Sequence, residues 1–311
     1  MDIEILLWFQ NIRFYLGPLV ATIMTFLSDW LCYIAVVAPF VVYWVKSKKA
    51  GAFLISTYGI SLLINQFLKC TFVVDRPWVK DARIQPPEGA KVGATGYSFP
   101  SNHTQTNAAI DGGVIRYCKK KGWIIFHVCI IIFMALSRVY LGVHTPLDVI
   151  VGVIVGVASI YLALAYEKRT ENNPKAQKTF LIIFFVLAAL CFVYAEFKSY
   201  PMTYVEGELL VDPVTMKKDS LRSIGAFIGM FLGLYLESKY VHFSTDGTTK
   251  EKVLRTIIGL IGVGILFGIS RGLIVKLVPT EISRFIETFM LVAYATYLYP
   301  LFILVKISKS F

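Results

Sequence analysis

The sequence predicts an all-α polytopic transmembrane helical bundle, and three observations lead to it. The 311 residues are 56% hydrophobic, 14% aromatic and only 16% charged, too apolar for a soluble globular domain. Apolar stretches long enough to cross ~30 Å of hydrocarbon recur along the chain, each needing about 20 residues. The net charge of +11 is gathered largely in short loops between those stretches, where basic residues set orientation in the bilayer rather than bind nucleic acid.

At the start of the chain, Ile3 to Phe14 reads as an amphipathic segment in the membrane interface. Ile5, Leu6, Trp8, Phe9 and Ile12 are apolar, and Asp2, Glu4, Gln10 and Arg13 are polar. The acidic beginning, without a small-residue cleavage site after a short apolar core, argues against a signal peptide. Spans are expected at 30–46, 50–70, 123–141, 146–166, 178–197, 221–241, 254–276 and 285–306. A less hydrophobic stretch, 101–117, must also cross if the loops are to alternate sides, giving about nine crossings. This divides the chain into an N-terminal segment 1–29, a core 30–167 and additional C-terminal helices 168–311.

Alternation puts Lys46, Lys48, Lys49, Lys119, Lys120, Lys121, Lys168, Arg169, Lys175, Lys178, Lys239, Lys250, Lys252, Lys306 and Lys309 on one side. That side is expected to be cytoplasmic. Segments 71–100 and 198–220 and the turn at 137–146 then face outward. The cysteines, Cys32, Cys70, Cys118, Cys129 and Cys191, lie in or beside apolar spans. None forms a C-x-x-C spacing, so they indicate neither a metal site nor a redox compartment.

Three patches place costly polar groups at the outer ends of spans. In Lys69 to Pro77, the seven-residue step from Lys69 to Arg76 is two helical turns, and Pro77 discourages further helix. Alone, the pair could be two snorkelling cations. In Tyr97 to His103, Ser101 suits an N-cap, and the amides after it make an anion site with His103 in the first turn. Asn107 and Asp111 continue a polar stripe. In Ser137 to Asp148, Thr145 and Pro146 read as N-cap and first helical position, so His144 precedes a helix and Asp148 lies in its first turn. There, too, a plain reading exists, a capping pair of Thr145 and Asp148. On one face, however, the patches supply complementary parts. Lys69, Arg76 and Arg138 can clamp phosphoryl oxygens, and two histidines remain for nucleophile and acid.

The ordered set resembles the type 2 phosphatidic acid phosphatase (PAP2) superfamily of lipid phosphatases. Its signature is Lys, six residues, Arg-Pro; then Pro-Ser-Gly-His; then Ser-Arg, five residues, His, three residues, Asp. The first and third parts match in full, and the second carries Asn102 where the family usually has Gly. Asn tolerates turn geometry, so the anion site is expected to persist. The resemblance implies that His144 attacks phosphorus to form a phosphohistidine, that His103 protonates the departing oxygen, and that Asp148 orients His144. Lys69, Arg76, Ser101, Asn102 and Arg138 would bind phosphate. Neither a metal nor another cofactor is expected, since cationic side chains do the electrostatic work. The expected partners are a phosphorylated lipid and the bilayer, with the site on the extracytoplasmic side.

Beyond Glu167 the chain looks like an extended form of the superfamily, similar to sphingoid-base phosphate phosphatases and long bacterial relatives. Gly225, Gly229 and Gly233, and then Gly264, Gly268 and Gly272, recur every fourth residue and suit tight helix packing or a homodimer. Arg222 reads as an anchor, and His127 and His242, without spaced partners, as structural. Arg271, near Ser270 and Lys276, is a candidate second polar site. It would serve the rival reading of a non-enzymatic lipid transporter or scramblase. A second rival is a lipid phosphotransferase on the same fold.

Overall fold

The computed structural model describes residues 2–94, 96–202, 204–205, 208–209 and 213–308. Its helices are α1 (Asp2–Leu16), α2 (Pro18–Val45), α3 (Lys48–Phe72), α4 (Pro77–Lys80), α5 (Glu88–Val92), α6 (Asn102–Ile115) and α7 (Lys121–Tyr140). They continue as α8 (Pro146–Thr170), α9 (Pro174–Phe197), α10 (Pro213–Tyr240) and α11 (Thr249–Ile269). A π-helical turn (Ser270–Ile274) leads to α12 (Val275–Leu277) and α13 (Thr280–Ala293), and a second (Tyr294–Leu298) to α14 (Tyr299–Ser308). The sole strands among the described residues are β1 (Tyr204–Val205) and β2 (Glu208–Leu209), paired antiparallel. Proline opens α2, α4, α8, α9 and α10, the position where its missing N–H and fixed φ cost nothing. Thr248 and Glu251 close a reciprocal capping box at the start of α11.

Among the described residues, seven helical segments are long and apolar enough to cross a membrane: Pro18–Val45, Lys48–Lys80, Lys121–Tyr140, Pro146–Thr170, Pro174–Phe197, Thr249–Leu277 and Thr280–Val305. The protein is an integral, multi-pass membrane protein. Nine crossings were expected, and two of the expected stretches fall short of that standard. α6 has 14 residues, or about 21 Å at 1.5 Å per residue, and most of it is buried, including Thr104, Gln105, Asn107 and Asp111. α10 carries Lys217, Lys218, Asp219, Arg222, Glu237 and Lys239 along its length. A helix sheltered by protein need not be apolar, so hydropathy understates both.

The first span also begins earlier than expected, at Pro18 rather than at residue 30. α1 turns its polar side to protein. Its polar residues Gln10 and Arg13 are buried, whereas Trp8 and Phe14 are exposed. Arg13 donates to the carbonyls of Tyr140 and Gln85, and Gln10 donates to that of Arg83 at 2.8 Å. α1 therefore faces protein with its polar side because loop carbonyls there need donors.

The chain forms two compact units. The first comprises Met1–Val36, Ile64–Tyr161 and Lys198–Met216. In it α6 lies close against α8. A Cβ on Gly156 would come within 2.7 Å of Ala108 Cβ and of the Gln105 carbonyl oxygen.

The second unit comprises Val37–Leu63, Leu162–Phe197 and Lys217–Phe311. Its core includes Tyr43, Trp44, Ile55, Met230 and Tyr299, and Trp44 donates its indole N–H to the Ala295 carbonyl at 2.7 Å. Glu237 is buried and accepts from Tyr43 and Lys48 at 3.0 and 2.6 Å. Gly225, Gly229 and Gly233 admit Phe285, Phe289, Val292 and Thr296 of the same chain, whereas a Cβ on Gly264, Gly268 or Gly272 would meet nothing within 4 Å. Arg271, the candidate second polar site, shares the carboxylate of Glu287 with Arg284, at 3.1 and 3.0 Å.

Candidate active site

Every candidate site residue lies in the first unit. Lys69 is delivered by the last turn of α3. The helix then ends with Val73 at φ 50°, the left-handed region that a β-branched residue rarely adopts. That sharp exit brings Arg76, the N-cap residue of α4, back into the protein. Lys69 donates to the Tyr97 carbonyl. Arg76 donates through Nε to the Gly96 carbonyl and through Nη1 to that of Val143, both at 3.0 Å.

His144 is placed by the end of α7. The Gly142 N–H bonds the Val139 carbonyl at 2.9 Å and the Val143 N–H bonds that of Arg138 at 3.2 Å, a Schellman closure with Gly142 at φ 72°. α8 begins two residues after His144. Thr145 and Asp148 do form the reciprocal capping pair: the Thr145 N–H reaches Asp148 Oδ2 at 2.8 Å, and the Asp148 N–H reaches Thr145 Oγ1 at 3.2 Å. Asp148 does more than cap. The same Oδ2 accepts from Ser98 Oγ at 2.5 Å and faces His144 Nδ1 at 3.5 Å.

The His144 ring is fixed at both nitrogens. Nε2 lies 2.9 Å from Arg76 Nη1. A guanidinium only donates, so Nε2 presents its lone pair there, and the ring proton sits on Nδ1, toward Asp148 and Ser98. Burial first, and then Arg76, hold the His144 pKa well below the ordinary imidazole value. His144 is thus a neutral base with a lone pair aimed at a cation.

A second group gathers around His103. Its Nε2 lies 3.2 Å from Asp29 Oδ1 on α2. Arg138, 1% exposed, approaches the same oxygen at 3.4 Å and donates to Ser28 Oγ at 3.0 Å. The charged groups around His103 are Arg138, Asp29 and Arg76, and Arg76 also touches His144, so the two groups share one electrostatic field.

Two expectations about the second patch change. Ser101 precedes α6 but makes no side-chain cap; its hydroxyl pairs with Thr104 Oγ1 at 3.1 Å, and its N–H donates to the Asp148 carbonyl at 3.1 Å. The Ser101 amide is therefore committed to holding α8. Asn102 is absent from the residues with positive φ, so the backbone demands no glycine there and the departure from the signature needs no turn tolerance.

Several contributors escaped the sequence reading. Ser98 and Asp29 are polar contacts of the two histidines, and Arg13 braces the Tyr140 carbonyl. A lone carboxylate inside an otherwise apolar span was the available signal for Asp29. His127, read as lacking a partner, pairs through Nδ1 with Asp111 Oδ1 at 2.7 Å. Among the described residues no group of three His, Cys, Asp or Glu side chains is placed to hold a metal ion.

Comparison with known proteins gives concordant matches. A family profile described as PAP2 superfamily matches residues 50–172. A second, described as PAP2 superfamily phosphatase, transmembrane extension, matches residues 221–310. The chain is 28% identical over 156 residues to phosphatidylglycerophosphatase B of Bacillus subtilis, covering 47% of this chain and 71% of that protein. It is 28% identical over 165 residues to undecaprenyl-diphosphatase of Sulfolobus acidocaldarius, covering 50% and 76%. A shorter match, 39% identical over 62 residues, covers 20% of this chain and 30% of the bacitracin transport permease protein BcrC of Bacillus licheniformis. No solved structure matches the chain.

Proposed function

Because this chain belongs to the PAP2 superfamily, we propose that it is a membrane phosphatase releasing the terminal phosphate of a lipid phosphomonoester or pyrophosphate through a phosphohistidine at His144. The observation that carries the mechanism is the His144 ring, with Nδ1 toward Asp148 and its Nε2 lone pair beside Arg76.

In the first step Nε2 attacks phosphorus, the N–P bond forms, and the bond to the lipid oxygen breaks with its electron pair leaving on that oxygen. His103 supplies the proton that oxygen needs. Asp148 stabilises the positive charge that grows on the His144 ring, and Arg76, Lys69 and Arg138 neutralise the phosphoryl oxygens. Water then attacks phosphorus, giving its proton to His103 as the N–P bond breaks. Cationic side chains supply the charge that a metal supplies elsewhere, so the reaction is read as metal-independent. The site opens on the extracytoplasmic side, a reading supported by the lysine-rich loops of the opposite side.

The test is phosphate release by the detergent-solubilised protein with excess chelator present. Full activity in chelator is expected, with a loss of roughly a thousandfold or more in His144→Ala; a variant that kept its rate would end this mechanism. A substrate panel should span phosphatidylglycerol phosphate, phosphatidate, sphingoid-base phosphate, polyprenyl diphosphate and soluble sugar phosphates. It identifies the lipid, and added acceptor lipids reveal any phosphoryl transfer to groups other than water.

A further inference from the structure

We propose that Asp29, on the first membrane span, is the positioning residue that holds and orients His103 as the proton donor to the leaving group. The inference rests on the reading of His103 as the acid and adds a residue outside all three signature patches.

Asp29 is the one charged residue in the 28-residue helix Pro18–Val45, and an ionisable group within an apolar span is costly unless it has a partner and a task. Its Oδ1 lies between His103 Nε2 at 3.2 Å and Arg138 Nη1 at 3.4 Å. Ser28, the preceding residue, accepts from the same Arg138 nitrogen at 3.0 Å. α2 thus offers two adjacent oxygens to α7 and one to the imidazole of α6.

The chemistry follows from which nitrogen is engaged. With Nε2–H donated to the carboxylate, the lone pair of neutral His103 is on Nδ1. A proton taken there is the one delivered to the departing lipid oxygen, and water returns one in the second step. The charged groups facing His103 are Asp29 from α2, Arg138 from α7 and Arg76 ahead of α4. Both arginines oppose a proton on the ring, and Asp29 favours one. Without Asp29 the imidazole would lose its orienting partner and lie between two cations. The arrangement mirrors that of His144 and Asp148, so each histidine has its own carboxylate.

The test uses the full-length protein and compares kcat/KM for an alkyl phosphate lipid, whose alkoxide must be protonated, with kcat/KM for an aryl phosphate, which departs as a phenolate without help. For Asp29→Asn the alkyl rate should fall roughly 10- to 100-fold, within the ~10²- to 10⁴-fold that general acid help provides, while the aryl rate changes by less than about threefold. The alkaline limb of the alkyl profile should also move to lower pH. Asp29→Glu, which keeps the charge should Asn prevent folding, is expected to retain the aryl rate and lose part of the alkyl rate. Equal losses on both substrates in the Asp29 variants, with His103→Gln still selective against the alkyl ester, would overturn the role of Asp29 alone. A His103→Gln variant impaired equally on both substrates would instead remove the acid reading, and this inference with it.

Discussion

At the scale of single residues, the setting of His144 makes the fold sensitive to acid. Burial and Arg76 keep the His144 imidazole neutral. In the unfolded chain an imidazole takes its proton at about 6.5. Above that value neither state binds the proton, and His144 leaves stability independent of pH. As pH falls below it, the unfolded state binds protons that the folded state refuses, so the fold loses stability until the folded values are reached. The melting temperature of the solubilised protein should therefore drop between about pH 7 and about pH 5, and the drop should be smaller in His144→Gln. Identical pH slopes in wild type and variant would show that this imidazole is not held neutral. Asp148→Asn addresses the other end of the His144 ring. It can still cap α8 but no longer balances the imidazolium, so phosphate release should fall by about 10²- to 10⁴-fold with little loss of melting temperature.

At the scale of elements, the site depends on how helices end and on how closely they approach. Gly142, at φ 72°, closes α7, and a Cβ there would meet Ile84 and Arg13 at 3.4 and 3.5 Å. Gly142→Ala should cost about 1–2 kcal/mol for the left-handed backbone and lower kcat by displacing His144; a variant with wild-type kcat and stability would refute the role of this turn. Gly156→Val places a branched side chain where α6 nearly touches α8, and a loss of about 1–3 kcal/mol is expected, read as a lower denaturation midpoint. These elements also set how far the sequence could be read. Lys69 to Pro77 and Ser137 to Asp148 were legible because each gathers its residues in a short stretch around a helix end, with proline and glycine marking the turns; the helical step expected from Lys69 to Arg76 is broken at Val73. Ser98 and the pairing of Asp29 with His103 were not, since a contact between segments far apart in the chain leaves no spacing in the sequence. The contacts of α1 were hidden for a related reason: its polar face satisfies loop carbonyls of the protein, and from sequence that face looks the same as one turned to water.

At the scale of the whole molecule, sidedness joins charge, crossing number and access to substrate. Hydropathy identifies seven spans, yet the lysine-rich loops fall on one side only if α6 and α10 cross as well. The two helices that fail the apolar test hold buried polar residues, among them Asp111 and Glu237, and that burial is the reason they need not be greasy. Cys118 provides a native probe, because it lies just after α6, is partly exposed, and precedes Lys119 to Lys121. Glu88, in the long segment between α3 and α6, is exposed and suits an introduced cysteine. With a membrane-impermeant maleimide on intact cells, Glu88→Cys should label and Cys118 should label only after the membrane is opened. Labelling of both in intact cells would mean that α6 does not carry the chain across. Labelling of Cys118 alone would invert the protein and turn the candidate site toward the cytoplasm, since alternation of the spans puts Lys69, Arg76, His103 and His144 on the same side as Glu88.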